Sequence, residues 1–263
     1  MSLVTKLPSV MKKHIEFTFG IITAGGADVN LEQIVQSIQK QNIPNYEIII
    51  VGSSCVKGEF IRVIPFDETI KKAWITKKKN IIAQEAKYEN IVLLHDYVEF
   101  CPGWYEGFLT FGNEFKICVN KITNSGKRFR DFCLFKEFLP TDLTLLPYSC
   151  ELSPALSKLA YVSGTYYVIK RSLALLHPLD ERLTWGQGED VIFSQTLSKN
   201  GIRFVCNPFS TVTLLKAKGS FEREMSEDLF LQLSRWAEQF GEETFHKQCQ
   251  FQESWVASIL DKS

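Results

Sequence analysis

The hydrophobic positions near the start of the chain predict a strand, a helix and a second strand. Residues 14–22 (HIEFTFGII) are rich in Ile and Phe and run into a Gly-containing turn, which is typical of a β-strand. Residues 47–54 (EIIIVGSS) are a short apolar run of the kind found in a strand buried on both faces. Between them, apolar residues at helical spacing predict a helix over 30–42: Leu31, Ile34, Val35 and Ile38. A strand–helix–strand unit of this length predicts a parallel pair of strands.

Strand-like and helix-like segments alternate through the rest of the chain. Further strands are predicted at 61–66, 91–100, 115–122, 128–135, 161–171 and 202–208. Further helices are predicted at 77–88, at 189–201 and from Glu222 onward. Asn30 with Gln33 is the expected cap of the first helix and Thr76 that of the second, while Pro65 makes its strand an edge strand. This alternation predicts an α/β fold with a mixed, mostly parallel sheet flanked by helices.

The pattern divides the chain unevenly. Residues 1–210 are predicted to form one α/β domain, and residues 211–263 a C-terminal helical appendage packed on it. The apolar faces of the appendage are expected to contact the domain or a second copy of the chain. A homodimer through the C-terminal helices is therefore compatible with the sequence.

Composition narrows the classes of protein that fit. The chain has 263 residues, 45% of them hydrophobic and 23% charged, which is the profile of a globular protein. Its 30 Lys and Arg balance 30 Asp and Glu, which argues against nucleic acid as a partner. No apolar run reaches the roughly 18–20 residues that span a bilayer, and the first residues lack a secretory signal core. We therefore expect a cytoplasmic protein without a transmembrane segment, for which peripheral membrane contact stays open.

The ends of two predicted strands suggest a ligand site. The first strand ends at residues 23–26 (TAGG), which match neither the G-x-G-x-x-G fingerprint nor a phosphate loop, so dehydrogenase and ATPase functions lose support. The strand at 91–100 delivers His95 and Asp96 to the carboxyl edge of the sheet, where open α/β folds bind ligands. One or two such side chains suffice for a divalent ion that holds a diphosphate. The alternative is that Asp96 caps the following turn and His95 bonds to the backbone.

A second candidate lies at residues 185–190 (WGQGED). The two glycines let the backbone approach a ligand closely, and Trp185 offers a flat face to a sugar ring. Glu189 and Asp190 at a helix start are able to accept hydroxyl protons. A helix N-terminus that favours acids explains the two carboxylates but not the tryptophan with two glycines, so we favour a functional role.

Two basic segments are compatible with two interpretations, a ligand-binding site or a solvated surface. In residues 122–132 (ITNSGKRFRDF) a turn precedes Arg128, Arg130 and Asp131, which are types that contact phosphate or sugar hydroxyls. A solvated hairpin is equally compatible with this segment. The lysines at 77–79 form either a solvated helix start or a phosphate contact.

Taken in order, these segments resemble a GT-A-type glycosyltransferase of the family-2-like kind, and most closely the glucosyltransferases of bacterial capsule and surface-glycan biosynthesis. The resemblance covers residues 17–208 and is carried by six motifs: FGIITAGG, KKKN, LLHDYVEFCPGWYEGF, NSGKRFRDF, SGTYYVIKR and WGQGED. It implies a GT-A (Rossmann-like) fold with residues 1–210 as the nucleotide-sugar-binding catalytic domain. The implied reaction transfers a sugar from a nucleotide-sugar donor, most often a UDP-sugar, to a hydroxyl of a glycan or lipid-linked glycan acceptor.

The resemblance also implies roles for individual residues. Asp190 is the expected base for an inverting transfer, with Glu189 as its catalytic neighbour. The implied acceptor-binding residues are Gly164, Trp185 and Glu189. The implied donor-binding residues are Thr23, Ala24, Gly25, Lys79, Asn80, His95, Asp96, Arg130 and Asp131. A Mn²⁺ or Mg²⁺ cofactor is expected at Asp96 and His95.

The sequence departs from the family pattern at three places. The usual D-x-D motif reads HDY at 95–97, and the second predicted strand ends in GSS at 52–54, where many relatives have an acid. No histidine follows Pro208 in STVTLLKAKG, where many relatives supply a late metal ligand. The resemblance therefore leaves Lys216 or Lys218 to meet the diphosphate.

Two other classes of function stay open. A glycan- or nucleotide-binding protein that kept the fold but lost turnover explains the altered D-x-D motif, but not the intact WGQGED. A nucleotidyltransferase needs Arg and Lys directly after the first strand, and TAGGADVN contains neither. We rank sugar transfer first and nucleotidyl transfer last.

Overall fold

Strands and helices alternate along the part of the chain that the computed structural model describes, namely residues 14–135, 143–157, 159–219 and 223–240. The strands are β1 (Phe17–Ile22), β2 (Tyr46–Val51), β3 (Ile61–Ile64), β4 (Asn90–His95), β5 (Val98–Phe100), β6 (Ile117–Asn124), β7 (Lys127–Arg128), β8 (Cys133–Phe135), β9 (Leu143–Leu145), β10 (Ala160–Tyr161), β11 (Tyr166–Lys170), β12 (Phe204–Leu214) and β13 (Arg223–Glu224). The helices are α1 (Asp28–Gln39), α2 (Ile75–Glu85), α3 (Trp104–Phe111), α4 (Pro154–Ser157), α5 (Arg171–Leu176), α6 (Glu189–Lys199) and α7 (Glu227–Phe240).

The larger sheet has the strand order β3-β2-β1-β4-β11-β6-β12-β5, with β7 beside β6. β1 pairs in parallel with both β2 and β4, and β6 pairs in parallel with β12. β11 pairs antiparallel with β4 and with β6, so it joins the two parallel halves. The strand before Pro65 lies at the edge, as its proline predicts. The predicted mixed, mostly parallel sheet is confirmed.

The register of the central strands brings three chain segments together. Ile22, the last residue of β1, lies opposite His95, the last residue of β4. Because β11 runs antiparallel to β4, its start lies at the same edge, and the His95 amide donates to the Thr165 carbonyl at 3.2 Å. The residues after β1, after β4 and before β11 therefore meet at one end of the sheet.

Two apolar layers cover the faces of this sheet. On one face, α1 and α3 bury Leu31, Ile34 and Phe108 against the side chains of β1 that point the same way. On the opposite face, α2, α5, α6 and α7 contribute to a second cluster: Ile82, Leu173, Phe193, Leu197, Leu229 and Phe230. Gly20 in β1 lets α2 approach, since an added Cβ would lie 2.2 Å from Ile82 Cγ2. Burial on both faces explains why β1 reads as a nearly continuous apolar run.

A smaller sheet of order β10-β8-β9-β13 stands beside the main one. β8 pairs antiparallel with β10 and with β9, and the residues they bury include Cys133, Leu143 and Tyr161. This sheet places Tyr161 close to the start of α6. It thus supplies one wall of the site described below.

The first turns of α1 and α2 differ from the sequence prediction. α1 begins at Asp28 and no side chain caps it, so Asn30 and Gln33 lie inside the helix. Thr76 also lies inside its helix, where its hydroxyl donates to the Leu183 carbonyl at 2.7 Å. A tertiary contact therefore replaces the predicted cap, because the hydroxyl has a buried partner from another segment.

The C-terminal part of the described chain packs on the main domain. α7 buries Leu229, Phe230 and Leu233 in the same layer as α2 and α6. β12 runs through residue 210, where the sequence analysis ends its first domain, and that division stays a prediction. Residues 241–263, including the predicted apolar position Trp255, lie outside the described residues. Within the described part, no helix is both long and apolar enough to cross a bilayer.

Candidate functional site

A cavity of about 220 Å³ opens at the end of the sheet where β1 and β4 finish. Its polar lining comes from four segments: Thr23, Lys78, His95, Asp96, Lys216 and Lys218. Trp185 and Tyr97 add aromatic surface, and 65% of the Trp185 residue surface is exposed. The cavity thus combines cationic groups, one carboxylate and flat apolar faces.

Thr23 and Asp96 are locked together at the base of this cavity. The Thr23 hydroxyl donates to Asp96 Oδ2 at 2.6 Å and accepts from the Gly25 amide at 3.0 Å. Gly52 follows β2 with φ of 140°, and an added Cβ there would lie 2.1 Å from the Thr23 carbonyl oxygen. Only glycine fits that position, which fixes the turn after β1 and thereby Asp96.

The surroundings of His95 favour the neutral form of its imidazole. Burial is the main cause that lowers its pKa well below the usual range, and the positive charges of Lys79, Lys218 and Lys78 act in the same direction. Its ring stacks on Tyr97, with 5.2 Å between the ring centroids. This pair forms a flat wall on the β4 side of the cavity.

Of the three lysines that line the cavity, Lys78 and Lys218 lie on different segments and are hydrogen-bonded within the protein. Lys78 is buried, donates to the Thr23 carbonyl at 2.6 Å and forms an ion pair with Glu68. Lys218 donates to the Tyr97 hydroxyl at 2.5 Å. Burial, followed by the charges of Arg130 and Lys216, lowers the pKa of Lys218 to about 8.

Asp190 lies at the start of α6, next to this cavity. The Gly164 amide donates to Asp190 Oδ2 at 3.0 Å, and the Tyr161 hydroxyl donates to the same oxygen. Its other oxygen, Oδ1, accepts from the Val191 amide at 3.0 Å. Gly188 precedes the helix with φ of 72°, so the glycine gives the chain the left-handed turn that presents the carboxylate. Asp190 is half-buried and held by three donors.

Lys79 contacts Gly164, the residue whose amide binds Asp190. Its ammonium is buried and donates to the Gly164 carbonyl at 2.6 Å. Burial lowers the pKa of Lys79 to about 8, although Asp190 and Glu189 act against that shift. An added Cβ on Gly164 would lie 3.3 Å from Asp190 Oδ2 and 3.5 Å from Lys79 Nζ. The glycine therefore permits the close approach of β11, α2 and α6.

Glu189 differs from its neighbour in environment. The residue is buried, and burial together with the charge of Asp190 raises the pKa of its carboxyl. Two adjacent carboxyl groups with different surroundings therefore share the first turn of α6, and Asp190 is the more accessible of the two.

Comparison with known proteins identifies the fold. No family model matches the sequence, and no curated protein matches it. Solved structures match: GalNAc-T7 with UDP, GalNAc and Mn²⁺ has a TM-score of 0.52 at 13% identity, covering 80% of this chain and 45% of that one. S. aureus TarS has a TM-score of 0.53 at 15% identity, covering 86% of this chain and 40% of that one. The chain has the GT-A fold.

A second TarS structure supports the same fold. S. aureus TarS 1-349 in complex with UDP-GlcNAc has a TM-score of 0.50 at 13% identity, and covers 79% of this chain and 60% of that one. The chain spans 40% to 60% of the length of these three structures. The GT-A fold implied by the sequence motifs is confirmed, while the family-2-like detail and the association with capsule synthesis stay predictions.

Two of the predicted donor-binding residues, Asn80 and Asp131, have hydrogen-bond partners within the protein. The Asn80 amide nitrogen donates to the Leu179 carbonyl at 2.9 Å, and its oxygen accepts from the Leu179 amide at 2.9 Å. Asp131 is fully buried and accepts hydrogen bonds from four groups: Ile122 N, Arg128 Nε, Phe132 N and Tyr148 Oη. The polar atoms of both side chains are hydrogen-bonded within the protein, so the function proposed below does not use them.

The remaining predicted residues fall into two neighbouring groups. The cavity group contains Thr23, Ala24, His95, Asp96 and Trp185, with Gly25 bonded to Thr23. The second group contains Lys79, Gly164, Glu189 and Asp190. Arg130 lies beside Lys218, and its guanidinium reaches the Gly219 carbonyl at 3.4 Å.

The sequence analysis did not single out Lys78 or Tyr161 as site residues. Lys78 belongs to the run of three lysines, and only the position of α2 shows that Lys78 meets the cavity while Lys79 points to Gly164. Successive helical residues are rotated by about 100°, so neighbours in such a run face different surroundings. No local sequence pattern points to Tyr161, because its contact with Asp190 depends on the position of β10, which belongs to a separate sheet.

The residues at the cavity do not fit a resident divalent ion. Among the described residues, no group of three His, Cys, Asp or Glu side chains is placed to hold a metal on its own, so an ion at Asp96 and His95 would need the donor phosphates as further ligands. The groups that share the cavity with Asp96 include three ammonium groups, those of Lys78, Lys216 and Lys218. A hard cation needs several neutral or anionic oxygens, and nearby ammonium groups repel it. The expected Mn²⁺ or Mg²⁺ site at His95 and Asp96 is therefore not supported by this donor set.

Proposed function

We propose that this protein is a glycosyltransferase that moves a sugar from a nucleotide-sugar donor to a hydroxyl of a glycan acceptor. One observation carries the proposal: an oriented carboxylate, Asp190, stands beside a cationic cavity at the carboxyl ends of parallel strands. Two matching structures contain UDP or UDP-GlcNAc, which favours a UDP-sugar as donor. A shared fold does not determine a reaction, so the proposal rests on the residues of the site.

In the proposed reaction Asp190 acts as the general base. It takes the proton of the acceptor hydroxyl while that oxygen attacks the anomeric carbon of the donor. The bond between this carbon and the diphosphate oxygen breaks, and its electron pair leaves with the nucleoside diphosphate. Donors from Gly164, Tyr161 and Val191 orient the carboxylate, which is what an efficient base requires. Attack opposite the leaving group gives an inverting transfer.

The two halves of the donor take different parts of the cavity. We place the nucleoside against Thr23, Ala24 and Gly25, where the backbone leaves room, and the diphosphate on the side of the lysines. Glu189 and Trp185 face the acceptor side, with Glu189 expected to bind a sugar hydroxyl. Lys79 acts through Gly164 and Asp190 and is a positioning residue.

The other predictions complete this proposal. A glycan or lipid-linked glycan acceptor, surface-polysaccharide synthesis, a cytoplasmic location and a dimer through the C-terminal helices follow from the resemblance or the composition. Residues 1–210 are the proposed catalytic domain and 211–263 its extension. The alternative is a binding protein without turnover, which the altered HDY motif favours. The three donors that orient Asp190 favour an active enzyme instead.

Nucleotide release from a panel of donors tests the function. We expect the purified protein to release free nucleotide from at least one UDP-, GDP- or ADP-sugar when acceptor glycans are present. Asp96→Ala is expected to weaken donor binding, because Asp96 anchors Thr23 at 2.6 Å. Failure of every donor to bind would overturn the proposed function. Binding without release across the panel would support the binding-protein alternative.

Replacing Trp185 separates acceptor binding from folding. We expect Trp185→Ala to raise the acceptor KM about three- to tenfold, the range of one aromatic contact of about 0.5–1.5 kcal/mol. Because 65% of the Trp185 surface is exposed, its thermal unfolding temperature should stay close to that of the wild type. Trp185→Phe is the matched control and should retain most of the affinity. An unchanged KM in Trp185→Ala would remove the stacking role.

A further inference from the structure

We propose that Lys216 and Lys218, together with Lys78, bind the diphosphate of the donor and carry out the charge neutralisation that a divalent ion would otherwise supply. This inference rests on the proposed function and concerns the same cavity. It predicts a transferase whose donor binding does not need a metal. The anion it recognises is the diphosphate group of a nucleoside diphosphate or nucleotide sugar.

The first support is position. Lys216 and Lys218 follow β12, Lys78 belongs to α2, and both segments line the cavity that also holds Asp96. β12 pairs with β5, the strand directly after residues 95–97, so this register brings the late lysines to the turn after β4. Three ammonium groups from two distant parts of the sequence thus meet at one cavity.

The second support is charge balance. Lys78 is paired with Glu68, whereas Lys218 lies beside Arg130 and Lys216, both of which carry the same charge, and the negative charge of Asp190 acts against them with the smallest effect. Among the described residues no salt bridge joins a carboxylate to Lys216 or Lys218 within 4.0 Å. Lys218 and Arg130 are half-buried and Lys216 is exposed, and like charges held this close are unfavourable without an anion between them. A bound diphosphate removes this repulsion, and burial increases the strength of the attraction.

The third support is that the lysine segment is anchored. The Asn124 amide nitrogen donates to the Lys218 carbonyl at 2.6 Å, and the Lys218 amide donates to Asn124 Oδ1 at 3.3 Å. The Lys218 ammonium donates to the Tyr97 hydroxyl at 2.5 Å and lies 4.2 Å from the centre of that ring. An ammonium has three N–H donors, so two of them are left for a ligand. The group is therefore held in place before a ligand arrives.

Calorimetric titration with nucleoside diphosphates tests the inference. UDP, GDP, ADP and CDP are titrated into the full chain, once with EDTA and once with Mn²⁺, and the tightest binder serves as the probe. We expect its Kd to change less than about twofold between the two conditions. Lys216→Met and Lys218→Met should each raise the Kd about tenfold or more, because each removes a charge-assisted hydrogen bond.

Matched variants separate binding from folding. Lys199→Met removes an exposed lysine at the end of α6 and should leave the Kd unchanged. Lys218→Arg keeps the charge and should retain most of the affinity. The free nucleoside lacks the diphosphate, so its weaker binding should be the same in Lys216→Met, Lys218→Met and the wild type. A melting curve confirms that each variant is folded.

The outcomes distinguish this inference from the proposed function. If the nucleoside diphosphate binds only with Mn²⁺, or if both lysine variants bind it as tightly as the wild type, the lysine site is overturned while sugar transfer stands. If no nucleoside diphosphate binds under either condition, the proposed function fails and the inference falls with it. Metal-independent binding that is lost in the methionine variants and kept in Lys218→Arg supports the site.

Discussion

Asp190→Asn is expected to lower the rate of sugar transfer by about 10²–10⁴-fold, the usual contribution of a general base. Asparagine has nearly the same shape, and its oxygen is still able to accept from the Gly164 amide, which lies 3.0 Å from Asp190 Oδ2. It has no basic oxygen for the acceptor proton. The measurement is the initial rate of nucleotide release with donor and acceptor present, compared with the wild type.

The affinity for the donor provides the internal control of that experiment. Because Asp190 is placed on the acceptor side, the Kd of the nucleoside diphosphate should change by less than about threefold, well under one kcal/mol. Asp228→Asn, an exposed acid in the first turn of α7, is the matched variant and should transfer at the wild-type rate. Full transfer by Asp190→Asn would assign the base to another group.

Asp131→Ala is expected to destabilise the protein by about 3–5 kcal/mol, the cost of breaking a buried ion pair from one side. The substitution leaves the Arg128 guanidinium without the carboxylate that it contacts at 2.8 Å. It also leaves the Tyr148 hydroxyl and two backbone amides without their acceptor. Urea unfolding followed by tryptophan fluorescence measures the loss as a lower midpoint.

The comparison variants show which role Asp131 has. Glu32→Ala removes an exposed carboxylate on α1 and should stay within about 0.5 kcal/mol of the wild type. Asp131→Asn keeps one acceptor oxygen and should fall between the two. If Asp131→Ala unfolds at the wild-type urea concentration but loses nucleotide affinity, Asp131 is a donor-binding residue, as the sequence resemblance implies.

The elements that position the site are largely readable from the sequence. β1, β2 and β4 are buried on both faces, so their apolar runs are nearly unbroken, and α1 carries a regular apolar stripe. Ligands bind at the strand ends of such a fold, and this rule identifies His95 and Asp96 as candidates from the sequence. The two glycines before α6 are equally visible in the sequence, and the structure gives Gly186 and Gly188 positive φ angles of 81° and 72°.

The remainder depends on contacts between distant segments. An acid next to an arginine gives the same sequence pattern whether it binds a ligand or stabilises a turn, and the full burial of Asp131 is visible only in the structure. Asn80 is another example, since its partner at Leu179 is 99 residues away. A capping residue such as Thr76 is equally ambiguous when a tertiary acceptor competes for its hydroxyl. Local sequence patterns indicate secondary-structure propensity. The hydrogen-bond partners of Asp131, Asn80 and Thr76 are determined by tertiary contacts.

The pairing of β12 with β5 joins segments that are far apart in the sequence, and this separation affects when the cavity is completed. β12 completes the sheet by pairing with Val98–Phe100, so residues more than 110 positions apart close that edge. Nascent chains emerge from the N-terminal end, and long-range pairings of this kind are slow to form. The strands β1, β2 and β4 are translated before Lys216 and Lys218, which follow β4 by more than 115 positions. The part of the cavity formed by Thr23, His95 and Asp96 is therefore translated first, and Lys216 and Lys218 join it only after β12 has been made.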